Sequence, residues 1–411
     1  MRRVSVPAEQ IPRALEEPRH ADVLIVVQPS ADAGESLRTG QRLGRQLGSA
    51  FPHRQAAVLL LSDRAGELVV PELPRPERAH SRCELIPWSR HGQSAVEAVL
   101  RAAETFDASA CALVAPDGDD GPPDAARLLL SPILDDGFDF VCPCYTTHRF
   151  EGVLRTGMVY PLTRALFGKQ LRQPLGSELA VSRRLASHLL GEGWHADPAH
   201  AGEWIWLVTA VLSREFKVCQ SYLGARPPRL REANADLAAS LAHAMGMLFH
   251  EMRMHAVAWQ RTKGSQPVRT YGDPAPSEEG GQPQVGPMLS AFALGYQELG
   301  RLWSAVLPPQ TLLALKRLAR AGEDTFALED ALWARIVYDF AIGYHLAVTD
   351  RALLLRSMTP LYLGWAAGFV RQVRDLDASG VEERVERLCR AFEAAKPYLI
   401  SRWRWPDRFN P

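Results

Sequence analysis

The chain has 411 residues, 46% of them hydrophobic, with 47 basic and 47 acidic side chains. That length builds one large or two medium cores, and the even charge balance argues against a nucleic-acid protein, which would show a basic excess or stripe. No run of about 18 apolar residues predicts a membrane span, and the opening MRRVSVPAEQ lacks the apolar stretch of a signal peptide, so a cytoplasmic location is expected.

Residues 1–20 read as an N-terminal arm. The apolar run 22–28 (DVLIVVQ), closed by Pro29-Ser30, predicts a buried strand. A helix follows with Leu37, Leu43 and Leu47 on one face, then a strand at 57–61 (AVLLL) ending in Ser62-Asp63. A helix over about 94–106 leads to a third strand, 110–114, ending in Pro116-Asp117-Gly118-Asp119-Asp120. This alternation predicts a parallel sheet wound with helices. Ligands of such sheets bind beyond the carboxyl ends of the strands, where Ser30, Asp63 and Asp117 converge.

A fourth strand is expected at 139–144 (DFVCPC), with Cys142 and Cys144 on one face. The six scattered cysteines form no Cys-x-x-Cys pair and read as buried thiols. Next comes the stretch 160–182, with the cations Arg164, Lys169 and Arg172, the turn Gln173-Pro174-Leu175-Gly176 and the acid Glu178. Pro174 restricts both itself and Gln173. Gly176 permits positive φ or close approach of a ligand to the backbone. The stretch reads either as a rigid loop for an anionic, hydroxylated small molecule or as a structural turn with solvated charges.

Helices are predicted at 183–190 and 204–213, a strand at 216–222 and a long helix over 234–261. From 262 to 287 Gly, Pro, Ser and Gln take over, predicting a flexible loop or linker. Everything from 288 to 411 has helical periodicity; Val381, Val385, Leu388 and Phe392 form one apolar stripe. His148 and Arg149 are candidates for the cleft or for an ordinary loop. Tyr338, Asp339, Tyr344, His345, Asp350 and Arg351 read as a buried polar network, which needs internal partners. Trp403-Arg404-Trp405 would cap the core or face a partner.

Several of these motifs together resemble the bacterial GT-A-fold glycosyltransferases related to the glucosylglycerate, mannosylglycerate and glucosyl-3-phosphoglycerate synthases. The carriers are Pro29-Ser30, Ser62-Asp63, the 139–141 strand, 160–166 and 172–176. In the second half they are Leu332-Trp333-Ala334-Arg335, Tyr338-Asp339-Phe340-Ala341, 359–364, Arg390-Ala391-Phe392 and Lys396-Pro397-Tyr398-Leu399. The resemblance implies a GT-A mixed sheet over 21–261 and an all-α region over 288–411. It further implies retaining transfer of a hexose from a nucleotide-diphosphate sugar to a small carboxylated acceptor such as glycerate. Mg²⁺ or Mn²⁺ would be the cofactor, held by an Asp-x-Asp pair and a histidine, and dimerisation is a family habit.

By that resemblance, donor contacts fall on Pro29, Ser30, Asp63, Arg90 and Asp117. Acceptor contacts fall on Arg164, Arg172, Gln173, Leu175 and Gly176, and catalytic acids on Glu203 and Glu178. This sequence departs from the family where the chemistry sits. The Asp-Ser-Asp positions are Ala115, Pro116 and Asp117; the histidine position after Leu223-Gly224-Ala225-Arg226 holds Pro228; the Gly-Lys-Gly lysine falls near Gly92; and the family acid is displaced to Glu203. Asp117 and Asp119 make a shifted Asp-x-Asp, roughly 6–7 Å along the chain. Two readings follow: a metal-poor transferase using Arg90, Arg164 and Arg172, or a degenerate relative that binds a ligand or pairs with an active homologue. A third, unrelated reading is a scaffold whose 262–287 loop recruits a partner.

Overall fold

The computed structural model describes residues 20–62, 83–89, 93–117, 121–192, 203–225, 237–276 and 281–406. Asp63, Arg90, Asp119 and Pro228 lie outside the described residues. Eight strands form one sheet: β1 (Val23–Val27), β2 (Ala56–Ser62), β3 (Cys83–Ser89), β4 (Ala110–Val114), β5 (Phe140–Thr146), β6 (Leu179–Ser182), β7 (Val218–Ala225) and β8 (Arg269–Tyr271). Their order is β3-β2-β1-β4-β6-β5-β7-β8, and β6 alone runs against the rest. The expected architecture, a mixed sheet flanked by helices with an all-α region after it, is the one the chain adopts.

Strand periodicity divides the sheet's side chains between two apolar layers. Val23, Ile25 and Val27 of β1 face one layer, while Leu24 and Val26 face the other. Burial on both faces explains why these strands read as unbroken apolar runs. The first layer is covered by α1 (Ala33–Ala50) and α3 (Ala125–Leu134) through Leu43, Leu47, Leu129 and Leu130. The second is covered by α2 (Ala95–Thr105), a π-helical turn (Arg155–Val159) leading into α4 (Tyr160–Phe167), α5 (Arg183–Gly191) and α6 (Glu203–Leu212). The helices α7 (Leu237–Met254), α8 (Ala256–Arg261), α9 (Val285–Ser304), α10 (Pro309–Leu318), α11 (Asp330–Leu346), α12 (Arg351–Ser357), α13 (Thr359–Val373) and α14 (Ala378–Arg404) complete the molecule.

The second layer continues without a break into these later helices. Trp333 and Trp365 stack at 5.8 Å with an interplanar angle of 14°. Trp333 Nε1 donates to the carbonyl of Gly157 at 3.0 Å. A Cβ on Gly157 would lie 2.0 Å from the Trp365 ring, so only glycine lets the π-helical turn approach so closely.

Three expectations need correction. The stretch 262–287 is not simply a linker, because Arg269–Tyr271 pairs with β7 as the edge strand and Gln266 bridges Lys169. A three-residue edge strand bounded by Pro and Gly leaves almost no periodic signal. The helix predicted over 234–261 breaks at His255 into α7 and α8. Gly176 does not adopt positive φ. The short strands β3 and β6 escaped sequence reading, β6 because its residues look like the end of the 160–182 turn.

Candidate ligand site at the carboxyl edge of the sheet

The ends of β1 and β4 meet where Gln28 N–H donates to Val114 O at 2.9 Å. Ser30 Oγ donates to Glu35 Oε2 at 2.5 Å and receives Asp32 N–H at 3.2 Å, closing the turn into α1. Asp32 caps α1 by accepting from Gly34 N–H at 2.9 Å. Pro29 and Ser30 therefore stand at the carboxyl edge of the sheet.

Asp117 sits three residues beyond the end of β4, level with Ser30 beyond β1, and is held by α1. Thr39 Oγ1 donates to Asp117 Oδ1 at 3.2 Å and accepts from Asp117 N–H at 3.0 Å. Arg42 Nη2 donates to the same Oδ1 at 2.5 Å, and Arg42 Nη1 to Pro122 O at 3.3 Å. The Arg42 side chain is 11% exposed and that of Asp117 32%. Gly121 closes the corner: a Cβ there would lie 2.1 Å from Asp117 Oδ2 and 2.2 Å from Arg42 Nη2. Thr39 and Arg42 were missed in the sequence, though a signal existed. Ser36, Thr39 and Arg42 recur every three residues on the buried face of a helix that starts at the ligand edge.

Glu178 closes the other side. It is 6% exposed; its Oε1 accepts from Ala115 N–H at 3.2 Å, and its Oε2 accepts from the Tyr145 hydroxyl. Gln28 Nε2 donates to Ser177 O and ties the same loop to β1. Gln173 continues the pairing beyond β6. Its Nε2 donates to Tyr145 O at 2.6 Å, and its Oε1 accepts from Tyr145 N–H at 3.3 Å. The 173–178 loop is thus stitched along the ends of β4 and β5, with Leu175 half-buried and Gly176 exposed. Glu203 opens α6, which leads back to the start of β7 and so begins on this carboxyl side of the sheet.

The two arginines expected at the acceptor are placed elsewhere, against α14. Arg164 is 3% exposed; its Nη1 and Nη2 reach Glu386 at 2.5 and 3.0 Å, and its Nε reaches Glu393 at 2.8 Å. Against the cost of burial, these bonds hold the guanidinium firmly charged and keep the Glu386 carboxyl below its usual range. Arg172 lies 5.1 Å over the Tyr160 ring and pairs with Glu382 at 3.0 Å. Both arginines bind two layers of the molecule together.

The remaining polar candidates are engaged inside the fold, except that Asp339 Oδ2 and His345 Nδ1 are buried without a hydrogen bond. Arg149 Nη1 donates to the carbonyls of Val373, Arg374 and Leu376 at the end of α13. Tyr338 donates to Phe392 O at 2.8 Å, and Asp339 accepts from Tyr398 at 2.7 Å and Arg402 at 2.5 Å. Asp350 caps α12. Of the thiols, Cys111, Cys142, Cys144, Cys219 and Cys389 are buried, and burial pushes Cys142 up to about 12, which leaves it protonated and inert.

A divalent cation of the kind implied by the resemblance needs several oxygen ligands in open geometry. Asp117 instead has a guanidinium on its Oδ1, and that fixed charge opposes a second cation. Glu178 is committed to Tyr145 and Ala115. Among the described residues no three His, Cys, Asp or Glu side chains converge on one point. The described residues do not fit the metal.

No family model matches the chain, and no curated protein matches it. Among solved structures, similar chains include the mannosyltransferase PcManGT from Pyrobaculum calidifontis in complex with GDP-Man and Mn²⁺ (13% identity, TM-score 0.36, covering 88% of this chain and 92% of that one). A mycobacterial protein is also similar (16% identity, TM-score 0.36, covering 62% of this chain and 80% of that one). No helix among the described residues is long and apolar enough to cross a membrane.

Proposed function

We propose that this chain is a glycosyltransferase-like protein that holds a nucleotide-diphosphate-sugar ligand at the carboxyl edge of its sheet without a divalent cation. The motif resemblance supplies the ligand class, and the mixed sheet supplies the edge at which such ligands bind. The observation that carries the reading is the Arg42–Asp117–Thr39 lock, which occupies the carboxylate a metal-dependent transferase would offer. Binding, alone or in partnership with an active homologue, is then the chain's role. The donor-side contacts are Pro29, Ser30, Asp117, and Asp63 and Arg90 beyond the described residues.

A second reading, retained hexosyl transfer to a small carboxylated acceptor, is favoured by one feature. Glu178 is a buried carboxylate at a strand end, the setting in which acids are tuned for proton transfer or charge stabilisation. In that reading Glu178 and Glu203 are the catalytic acids, and the acceptor meets Gln173, Leu175 and Gly176. Calorimetric titration with UDP-glucose and GDP-mannose, with and without Mg²⁺ or Mn²⁺, separates the two. Saturable binding that metal does not change is expected. Metal-stimulated binding accompanied by donor hydrolysis overturns the binding-only reading, and no binding of either donor overturns both.

A further inference from the structure

Eight large hydrophobic side chains are exposed among the described residues, and six of them cluster in one place. These are Met254, Val257, Leu346, Val348, Leu353 and Trp405. Their neighbourhood is fixed by contacts beneath them. Trp403 stacks on His345 at 4.1 Å and meets Trp259 edge-on at 5.3 Å. Arg404 Nε donates to Gln260 at 2.6 Å, one turn along α8 from Val257, which places the end of α14 beside α8. Arg351 lies 4.7 Å over the Tyr344 ring, and Phe249 of α7 packs on that ring at 5.8 Å. Arg253 and Arg351 both act on His345.

The charge of this end is mainly positive. Segments 250–261, 344–356 and 403–406 carry Arg253, Arg261, Arg351, Arg356 and Arg404. All are exposed except Arg351, which is half-buried. Their two carboxylates are already engaged. Glu251 is buried and held by Thr209 at 2.8 Å and His255 at 3.3 Å, and Asp350 caps α12. The surface is made of helix ends: the α7–α8 break, the α11–α12 turn in which Ala347 takes φ 51°, and the last turn of α14.

We infer that this end docks on an anionic phospholipid surface, with Met254, Val257, Leu346, Val348, Leu353 and Trp405 entering the headgroup region and the arginines meeting lipid phosphates. Apolar side chains with a tryptophan among arginines satisfy both parts of such an interface, and neither part suffices alone. A protein partner would be expected to find carboxylates of complementary pattern among the arginines, whereas the two carboxylates of these segments are already engaged.

Cosedimentation of the full chain tests this, using vesicles of phosphatidylcholine alone and of phosphatidylcholine mixed with phosphatidylglycerol. Binding to the mixed vesicles that weakens with salt is expected, with little binding to phosphatidylcholine. The pair Met254→Gln and Val257→Gln, and separately the pair Arg253→Glu and Arg404→Glu, should each weaken binding about tenfold or more. Leu313→Gln, at an exposed leucine on α10, should leave it unchanged. In the unmodified chain, quenching by brominated lipid that is lost in Trp405→Phe would place that ring in the interface. Equal binding to neutral vesicles, no binding to either, or equal loss in Leu313→Gln overturns the inference. So does a concentration-dependent dimer that the same pairs abolish while vesicle binding persists, which would make the face a protein interface.

Discussion

Of the places where this molecule sets a guanidinium against carboxylates, two do different things. At the carboxyl edge, Arg42 meets Asp117 on a partly open surface and neutralises a side chain that stands where a ligand site is expected. At the seam between α4 and α14, Arg164 meets Glu386 and Glu393 with 3% of its side chain exposed, and no ligand is needed to explain it. Position decides the meaning of an ion pair. The partly open one can be exchanged for a ligand at lower cost than the buried one can be broken.

The contrast sharpens into measurable differences. Arg164→Ala should be the most damaging change, costing about 3 kcal/mol or more in chemical denaturation, because it empties a buried site, takes from Glu393 its hydrogen-bonded partner and leaves Glu386 with Arg390 alone. Arg164→Lys should recover only part of that loss, since the ammonium cannot reproduce the forked contact. A loss below about 1 kcal/mol for the alanine variant would place Arg164 with the surface pairs. Gly157→Ala should follow, at about 1–3 kcal/mol or more, because its methyl group overlaps Trp365. Arg42→Gln should cost less than Arg164→Ala, and calorimetry should detect Mn²⁺ binding more readily in this variant than in the unmodified chain. An Mn²⁺ affinity that stays unchanged would show that the lock is not what keeps metal out.

A further effect is in pH. Lys396 is buried and donates to Leu166 O at 3.2 Å and Thr262 O at 2.8 Å. Burial, against the pull of Glu393, lowers it to about 8. Its folded value is below its unfolded one, so between about pH 8 and 10.4 the unfolded chain binds more protons and stability rises with pH. The stability difference between the unmodified chain and Lys396→Met should grow across that window by up to about 3 kcal/mol, and a flat difference would contradict the depressed value.

What could be read from the sequence follows the same division. The strands β1, β2, β4 and β5 were legible because both faces are buried and their apolar runs are continuous. Pro29, Ser30 and Asp117 were legible as edge residues because strand ends locate them, whereas Glu178 was legible only as the acid of the 160–182 stretch. The roles of Arg164, Arg172 and Arg149 were not, because their partners lie 222, 210 and 224 residues away and no local pattern announces them. The same distance hid Arg42, whose carboxylate is 75 residues downstream. The strand β8 was hidden by composition, since Pro and Gly on either side mark a loop even where three residues between them complete a sheet.

The glycine that lets the π-helical turn rest against two stacked indoles has a consequence for anyone dividing this polypeptide. Trp333 and Trp365 come from the later helices, and Gly157 comes from the sheet portion. A cut within 262–287 would remove the edge strand's continuity and bare an aromatic surface on one fragment and its socket on the other. The two pieces should therefore melt in a single transition when joined, and each should aggregate when made alone.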